Sequence, residues 1–391
     1  MPVGSELRDR RLALLVKEET VPGVEETPSP SANAIIVDDA APNPQPSIIE
    51  SNEKGGGLDK GLPTVGAMPY QLTVQVPFKG ADAVGANPEY DILLRICGWA
   101  RTAQAAIAAK AAAAGTTTTV DVDIASSTFP AVAGALAGMP LTLAGDVPSQ
   151  LVGCTKWELV TGTVWRATIN KTFAAALTTS TTVAVPQNLI YRPQSGTIPT
   201  ATIYLYVDGL LWKLLGARGD FAVTLTSGNK GELTFTLSAL FGGKSDAAVP
   251  TVSGTVQARP PIWRAGTAAV FHHLAAIQQM TCGFNNTVTL PDDPNQPEAL
   301  RPPVIGLRDV KGTINPLEEN VATRNLLLKV RGNEVVPITA LYGVTPGNRL
   351  GITIEEALLT NETREVRNEL LAAQYPFSSA KRDRSAALCL Y

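Results

Sequence analysis

Between residues 201 and 241 apolar and polar positions alternate in short runs, ATIYLYVDGLLWKLLGARGDFAVTLTSGNKGELTFTLSALF. Four strands are predicted there. Asp208-Gly209 separates two apolar runs, and Gly228-Asn229-Lys230-Gly231 separates two more. Glycine accepts the positive φ that such a reversal needs. In the last run Leu233, Phe235 and Leu237 alternate with Glu232, Thr234, Thr236 and Ser238. A period of two gives a sheet one buried and one polar face.

The same patterns organise the rest of the chain. Residues 70–78 alternate Leu72, Val74 and Val76 with Gln71, Thr73 and Gln75, which predicts a half-buried strand. Asn87-Pro88 is predicted to open a short helix that Gly98 ends. Residues 10–17 are predicted to form two helical turns. The Pro-, Gly- and Ser-rich stretch that follows is punctuated by Pro44-Gln45-Pro46 and Gly55-Gly56-Gly57. With apolar islands at residues 34–37 and 48–49, residues 1–67 read either as disordered or as an extended N-terminal assembly arm ordered by a partner, and the family resemblance described below favours the arm.

Residues 102–114 are predicted helical, ending at Gly115. Strand-like runs follow at 116–124, 140–143, 156–159, 164–169 and 181–185, so residues 102–187 read as a small β-rich insertion domain. Beyond residue 255 a strand is predicted at 306–313. Asn315-Pro316-Leu317-Glu318 then has the form of a capping box for a helix ending near Gly332. Strands at 335–342 and 349–358 flank the Pro346-Gly347-Asn348 turn. Strand, Asn-Pro helix and strand pairs is also the order of residues 70–241. Two readings fit: an internal duplication, or coincidental reuse of a common helix start.

Composition narrows the function. Charged residues are 17% of 391, below the quarter typical of soluble domains, which fits either a β-rich subunit partly covered by neighbours or a monomer with an uncharged surface. The net charge of −3 gives no basic field for nucleic acid or anionic lipid. Arg8, Arg10 and Arg11, and Lys381, Arg382 and Arg384, form only mild basic clusters. Cys97, Cys154, Cys282 and Cys389 are far apart and read as reduced thiols. No apolar run is long enough for a membrane span.

No catalytic, cofactor or metal residue stands out. His272 and His273 are adjacent and would diverge by about 100° on a helix. They read as core or interface residues. Asp121 and Asp123 lack the glycine-rich loop of a calcium site. Gly55–Gly61 lacks phosphate-loop spacing. Arg218-Gly219-Asp220 falls between predicted strands.

The order strand, Asp-Gly turn, strand, Gly-Ala-Arg-Gly, strand, Gly-rich turn, strand resembles the major tail (tail tube) proteins of long-tailed, non-contractile bacteriophages. The likeness extends to ETPSPSANAIIV at residues 26–37, Ser47-Ile48-Ile49-Glu50 and GADAVGANPEYDILLRICGW at 80–99. It implies a mainly β fold, a sandwich or partial barrel with a flanking helix. A first tail tube domain would comprise residues 68–101 and 188–254, and a second one residues 255–391, a duplicate of the first on the internal-duplication reading. The resemblance implies a non-enzymatic virion protein without cofactor, made in the host bacterial cytoplasm and located in the tail. Its partners would be itself, in trimeric pseudo-hexameric or hexameric rings, the tape measure protein, and the tail terminator and distal tail proteins. DNA would pass through the lumen, and no membrane would be involved. The alternative is a β-rich binding module, an adhesin or carbohydrate-binding protein, using Trp157 and Trp165, the only close tryptophan pair.

Overall fold

In the computed structural model strands make up 49% of the chain and helices 3%, so the fold is mainly β. The structure describes residues 11–54, 58, 60–252, 258–379 and 381–391. The chain begins with β1 (Leu12–Glu18), β2 (Ala34–Ile35), β3 (Asp39–Pro44), β4 (Ile48–Ile49), β5 (Thr64–Val65), β6 (Tyr70–Pro77), α1 (Asp91–Ile96) and β7 (Trp99–Gln104). It continues with β8 (Ile107–Ala111), β9 (Ala114–Gly115), β10 (Thr119–Asp123), β11 (Pro140–Ala144), β12 (Gln150–Thr161), β13 (Val164–Ile169) and β14 (Thr182–Val185). Next come β15 (Asn188–Pro193), β16 (Ala201–Val207), β17 (Leu210–Thr226) and β18 (Glu232–Asp246). The remainder is β19 (Thr267–Val270), β20 (His273–Leu274), β21 (Ile277–Gly283), β22 (Val288–Thr289), β23 (Val304–Ile305), β24 (Val310–Pro316), α2 (Leu326–Arg331), β25 (Val335–Tyr342), β26 (Leu350–Leu359), β27 (Thr363–Arg367), β28 (Leu370–Ser379) and β29 (Ala387–Leu390).

One pairing scheme occurs twice. In its first occurrence β1 pairs with β2 and β16, β16 with β17, β17 with β18, β18 with β6, and β6 with β3. In its second β19 pairs with β20 and β25, β25 with β26, β26 with β28, β28 with β24, and β24 with β21. Every pair is antiparallel, and a short helix follows β6 and β24 alike. The buried positions keep phase too. Leu233, Phe235 and Leu237 of β18 correspond to Ala373, Tyr375 and Phe377 of β28, and all six are buried.

The two sets meet edge to edge. The outer half of β17 pairs with β21, placing Thr224 opposite Thr281 and Leu225 opposite Met280. Eight strands therefore run without a break in the order β3, β6, β18, β17, β21, β24, β28, β27. One face of this ribbon buries Val74, Phe235, Val223, Met280, Ile314 and Tyr375 in a single core shared by both repeats. The other face presents Thr73, Gln75, Thr234, Thr236, Thr281 and Thr313.

Strands β8 to β14 form a separate seven-stranded sheet with its own core. There Trp157 lies between Trp165 and Phe129, at 5.6 and 6.1 Å centroid distances. Its ends meet because β7 and β15 pair, with Gln104 opposite Asn188. It docks on the main sheet through Ile190, Ala387, Cys389 and Tyr391, and through Asn170 Nδ2, which donates to Thr339 Oγ1 at 2.9 Å.

Several sequence expectations are corrected. Residues 12–18 form a strand, because pairing with β16 buries Leu14, Leu15 and Val16 together, which a lone helical turn cannot do. Within the expected arm of residues 1–67, residues 12–44 are accordingly not a free extension: β1, β2 and β3 belong to the main sheet. The alanine-rich run at 102–114 is extended, since pairing of β7 with β15 and of β8 with β14 outweighs alanine's helix propensity. Residues 210–226 make one strand, not two; Gly216, at φ +66°, absorbs a bulge there. Asn315 and Pro316 close β24, and Asn325 caps α2 by accepting the Leu328 N–H at 2.9 Å. Helix α1 starts at Asp91, three residues beyond Pro88; Gly98 ends it at φ +82° as expected. The duplication is carried by strand pairing and not by repeated Asn-Pro caps.

Phe235 stacks on Phe221 at 5.3 Å in the centre of the ribbon. Phe235→Ala is expected to cost about 3–5 kcal/mol, read as a lowered urea midpoint with an unchanged slope.

Candidate assembly surface

The residues examined for chemistry are held in structural roles. Phe271 and His272, at φ 49° and 63°, form the two-residue turn between β19 and β20, so the histidines do not lie on a helix. His272 Nδ1 approaches the carbonyl of Ile169 in the insertion at 2.5 Å. Burial holds its imidazole below its ordinary pKa. All four cysteines are buried, and desolvation raises each thiol pKa, that of Cys154 to about 12, which removes the thiolate a nucleophile needs.

Asp121 accepts two bonds from Arg166, at 2.7 and 2.8 Å, and Asp123 accepts the Ala125 N–H. Arg218 donates to the carbonyls of Pro199, Pro303 and Ile198, and burial raises the Asp220 carboxyl pKa. Arg218 and Asp220 are both half-buried. Arg11 pairs with Asp208, and Lys381 and Arg384 both pair with Glu355. Arg8, Arg10 and Gly55–Gly57 lie outside the described residues. Among the described residues no three His, Cys, Asp or Glu side chains group to hold a metal, and no helix is long and apolar enough to cross a membrane.

Among the described residues, the eight-stranded ribbon ends in two open edges, each continued by an apolar tip. Strand β3 pairs only with β6, and β27 only with β28. Beyond β3 and β6 the hairpin continues: Gln45 donates to Pro69 O, Ser47 to Ala67 O, and Ile48 stands opposite Val65. Ile48, Ile49, Leu62 and Val65 are exposed along it. At the β27–β28 tip Val366, Leu370 and Leu371 are exposed. Nearby α2 buries only Leu326, whereas α1 buries Leu93, Leu94 and Ile96.

Sequence reasoning found the Ile48–Ile49 island and missed the β27–β28 tip. The available signal was Asn368 in a tight turn between Val366 and Leu370–Leu371. Asn368 and Glu369 both take positive φ there, at 48° and 66°.

The polar face of the ribbon holds few free bases. Lys311 pairs with Asp309, and Arg367 donates to the carbonyls of Asn315 and Ala276 at 3.1 and 3.0 Å.

No family model matches the chain, and a search of the curated proteins finds no match.

The His272 contact generates a pH prediction. The docked imidazole is neutral with its pKa held down, so the undocked state binds the proton more readily. Docking of the insertion is therefore complete above the ordinary value of 6.5 and weakens as pH falls below it. Amide exchange in residues 169–172 is expected to speed up, relative to residues 233–237, between pH 7.5 and 5.5. His272→Asn, which tolerates positive φ, should flatten that response.

Proposed function

We propose that this chain is the structural subunit of a bacteriophage tail tube. Three chains close a ring, rings stack, and the tube encloses the tape measure protein and later conducts DNA. The observation that carries this reading is the eight-stranded ribbon: two copies of one β scheme, joined in register, with a polar face and an unpaired strand at each end.

Unpaired edges of this length are a liability for a monomer. Closing ribbons end to end removes both. Because each chain carries the scheme twice, three chains supply six equivalent positions. Such a barrel has about two dozen strands and measures roughly 48 Å between opposite backbones, at a spacing of ~4.8 Å and a tilt of ~40°. A duplex fits through it. With the polar face inward, the lumen carries mostly Thr, Gln and Ser, and its bases Lys311 and Arg367 are already engaged. Few phosphate contacts means little affinity to slow passage. The insertion and the shared core then lie outside the barrel.

The β4–β5 hairpin supplies the stacking contact. Burying Ile48, Ile49 and Val65 against the next ring is worth about 1.5–3 kcal/mol each. Tail terminator and distal tail proteins would cap the two ends. The binding-module alternative needs an exposed aromatic platform, whereas Trp157 and Trp165 are buried against each other.

Negative-stain microscopy of the purified protein at rising concentration is the test. Rings and tubes are the expected result; a dispersed monomer at every concentration overturns the reading. Replacing residues 47–66 with a two-residue turn should leave the melting temperature within a few degrees and rings intact, while long tubes disappear.

A further inference from the structure

We propose that successive chains in the ring join through β27 of one chain and β3 of the next, in a register copied from the junction inside each chain. The inference rests on the ring-forming reading above, and it names the residues that meet.

Matching the two pairing schemes by their buried phase sets Tyr70, Val74 and Val76 of β6 on Val310, Ile314 and Pro316 of β24, all buried. The ladders next to them then set β3 on β21, with Ala40 on Met280, which are 5% and 1% exposed. They also set the outer half of β17 on β27, with Leu225 on Val366. Inside the chain Leu225 faces Met280 and Thr224 faces Thr281. The same junction between chains places Val366 opposite Ala40, Glu365 opposite Ala41, and Arg367 opposite Asp39.

Exposure supports the equivalence independently. Leu225, in the shared core opposite Met280 of β21, is 0% exposed, whereas Val366, its counterpart, is 71% exposed. An apolar side chain with the phase of the core and no cover is what a missing neighbour leaves behind.

The β3 edge is also selective. The bond from Gln45 N–H to Pro69 O fixes which residues face β6. By alternation the ring nitrogens of Pro42 and Pro44 face outward, and Ala40 supplies the outward N–H. Two β3 edges cannot form a ladder with each other, having one such donor apiece. Strand β27 contains no proline and donates from Arg364 and Val366. The prolines thus favour the unlike pair and suppress random edge pairing.

Disulfide trapping tests the register. Glu365 and Ala41 form a wide, non-hydrogen-bonded pair in this junction, with Cα atoms about 4.5 Å apart, within disulfide range. The four native cysteines are buried and should not compete. Tubes of the Glu365→Cys/Ala41→Cys chain, oxidised and run without reductant, are expected to give covalent trimers. Mixing the two single variants should give covalent dimers, which also guards against a folding defect in the double variant. Glu365→Cys with Asn43→Cys, two residues out of register, should cross-link at least tenfold less. Normal tubes that yield no cross-link, or that cross-link both pairs equally, overturn the junction and leave the tube reading standing. A wild-type chain that never assembles overturns both.

Discussion

Backbone hydrogen bonding at sheet edges is the constraint on which this molecule depends. A β-strand with one neighbour leaves half its N–H and C=O groups without protein partners, and an antiparallel sheet ends in two such strands. The chain meets this demand once by itself. The outer half of β17 would be an edge, and β21 of the second repeat covers it from Ala222 to Thr226. That covering welds two repeats into one ribbon with one continuous core. It also leaves β3 and β27 with one strand neighbour each.

Burial follows the same logic. Leu225 and Val366 occupy matching places in the two repeats, yet one is sealed and the other open. Helices α1 and α2 repeat the contrast. Helix α1 packs against β1, β7 and β17, while α2 has only a thin contact with β26 and leaves Leu327 and Leu328 exposed. The insertion is handled differently. It brings its own core around Trp157 and needs the main sheet only for a few contacts, so its edges do not disturb the ribbon.

Local patterns in the sequence were legible where one face of a strand is buried. The alternation at residues 232–238 and the runs 164–169 and 335–342 all correspond to strands, because a period of two leaves little choice. Reading failed where local propensity and tertiary pairing disagree. Leu-Ala-Leu-Leu-Val at the start of β1 and the alanines of β8 suit a helix in isolation, and their sheet partners lie far along the chain. Asn315-Pro316 has a helix-start composition, but the Asn315 side chain instead accepts the N–H groups of Gln278 and Gln279 across to β21. The duplication was visible only as an order of elements. In the structure the repeated order appears as a repeated pairing scheme, in which Leu237 and Phe377 share a phase and not an identity. The edge sites were the least legible, because an unpaired strand looks like any other strand until its neighbours are known.

The central claim is that the polar face of the β3-to-β27 ribbon lines a tube made of three chains per ring. A cryo-electron microscopy reconstruction of the assembled protein measures this directly. The account requires three chains around each ring, with Thr73, Thr236, Thr281 and Thr313 facing the lumen and both repeats contributing strands to the barrel. Six chains per ring, with residues 267–390 outside the inner barrel, would contradict it.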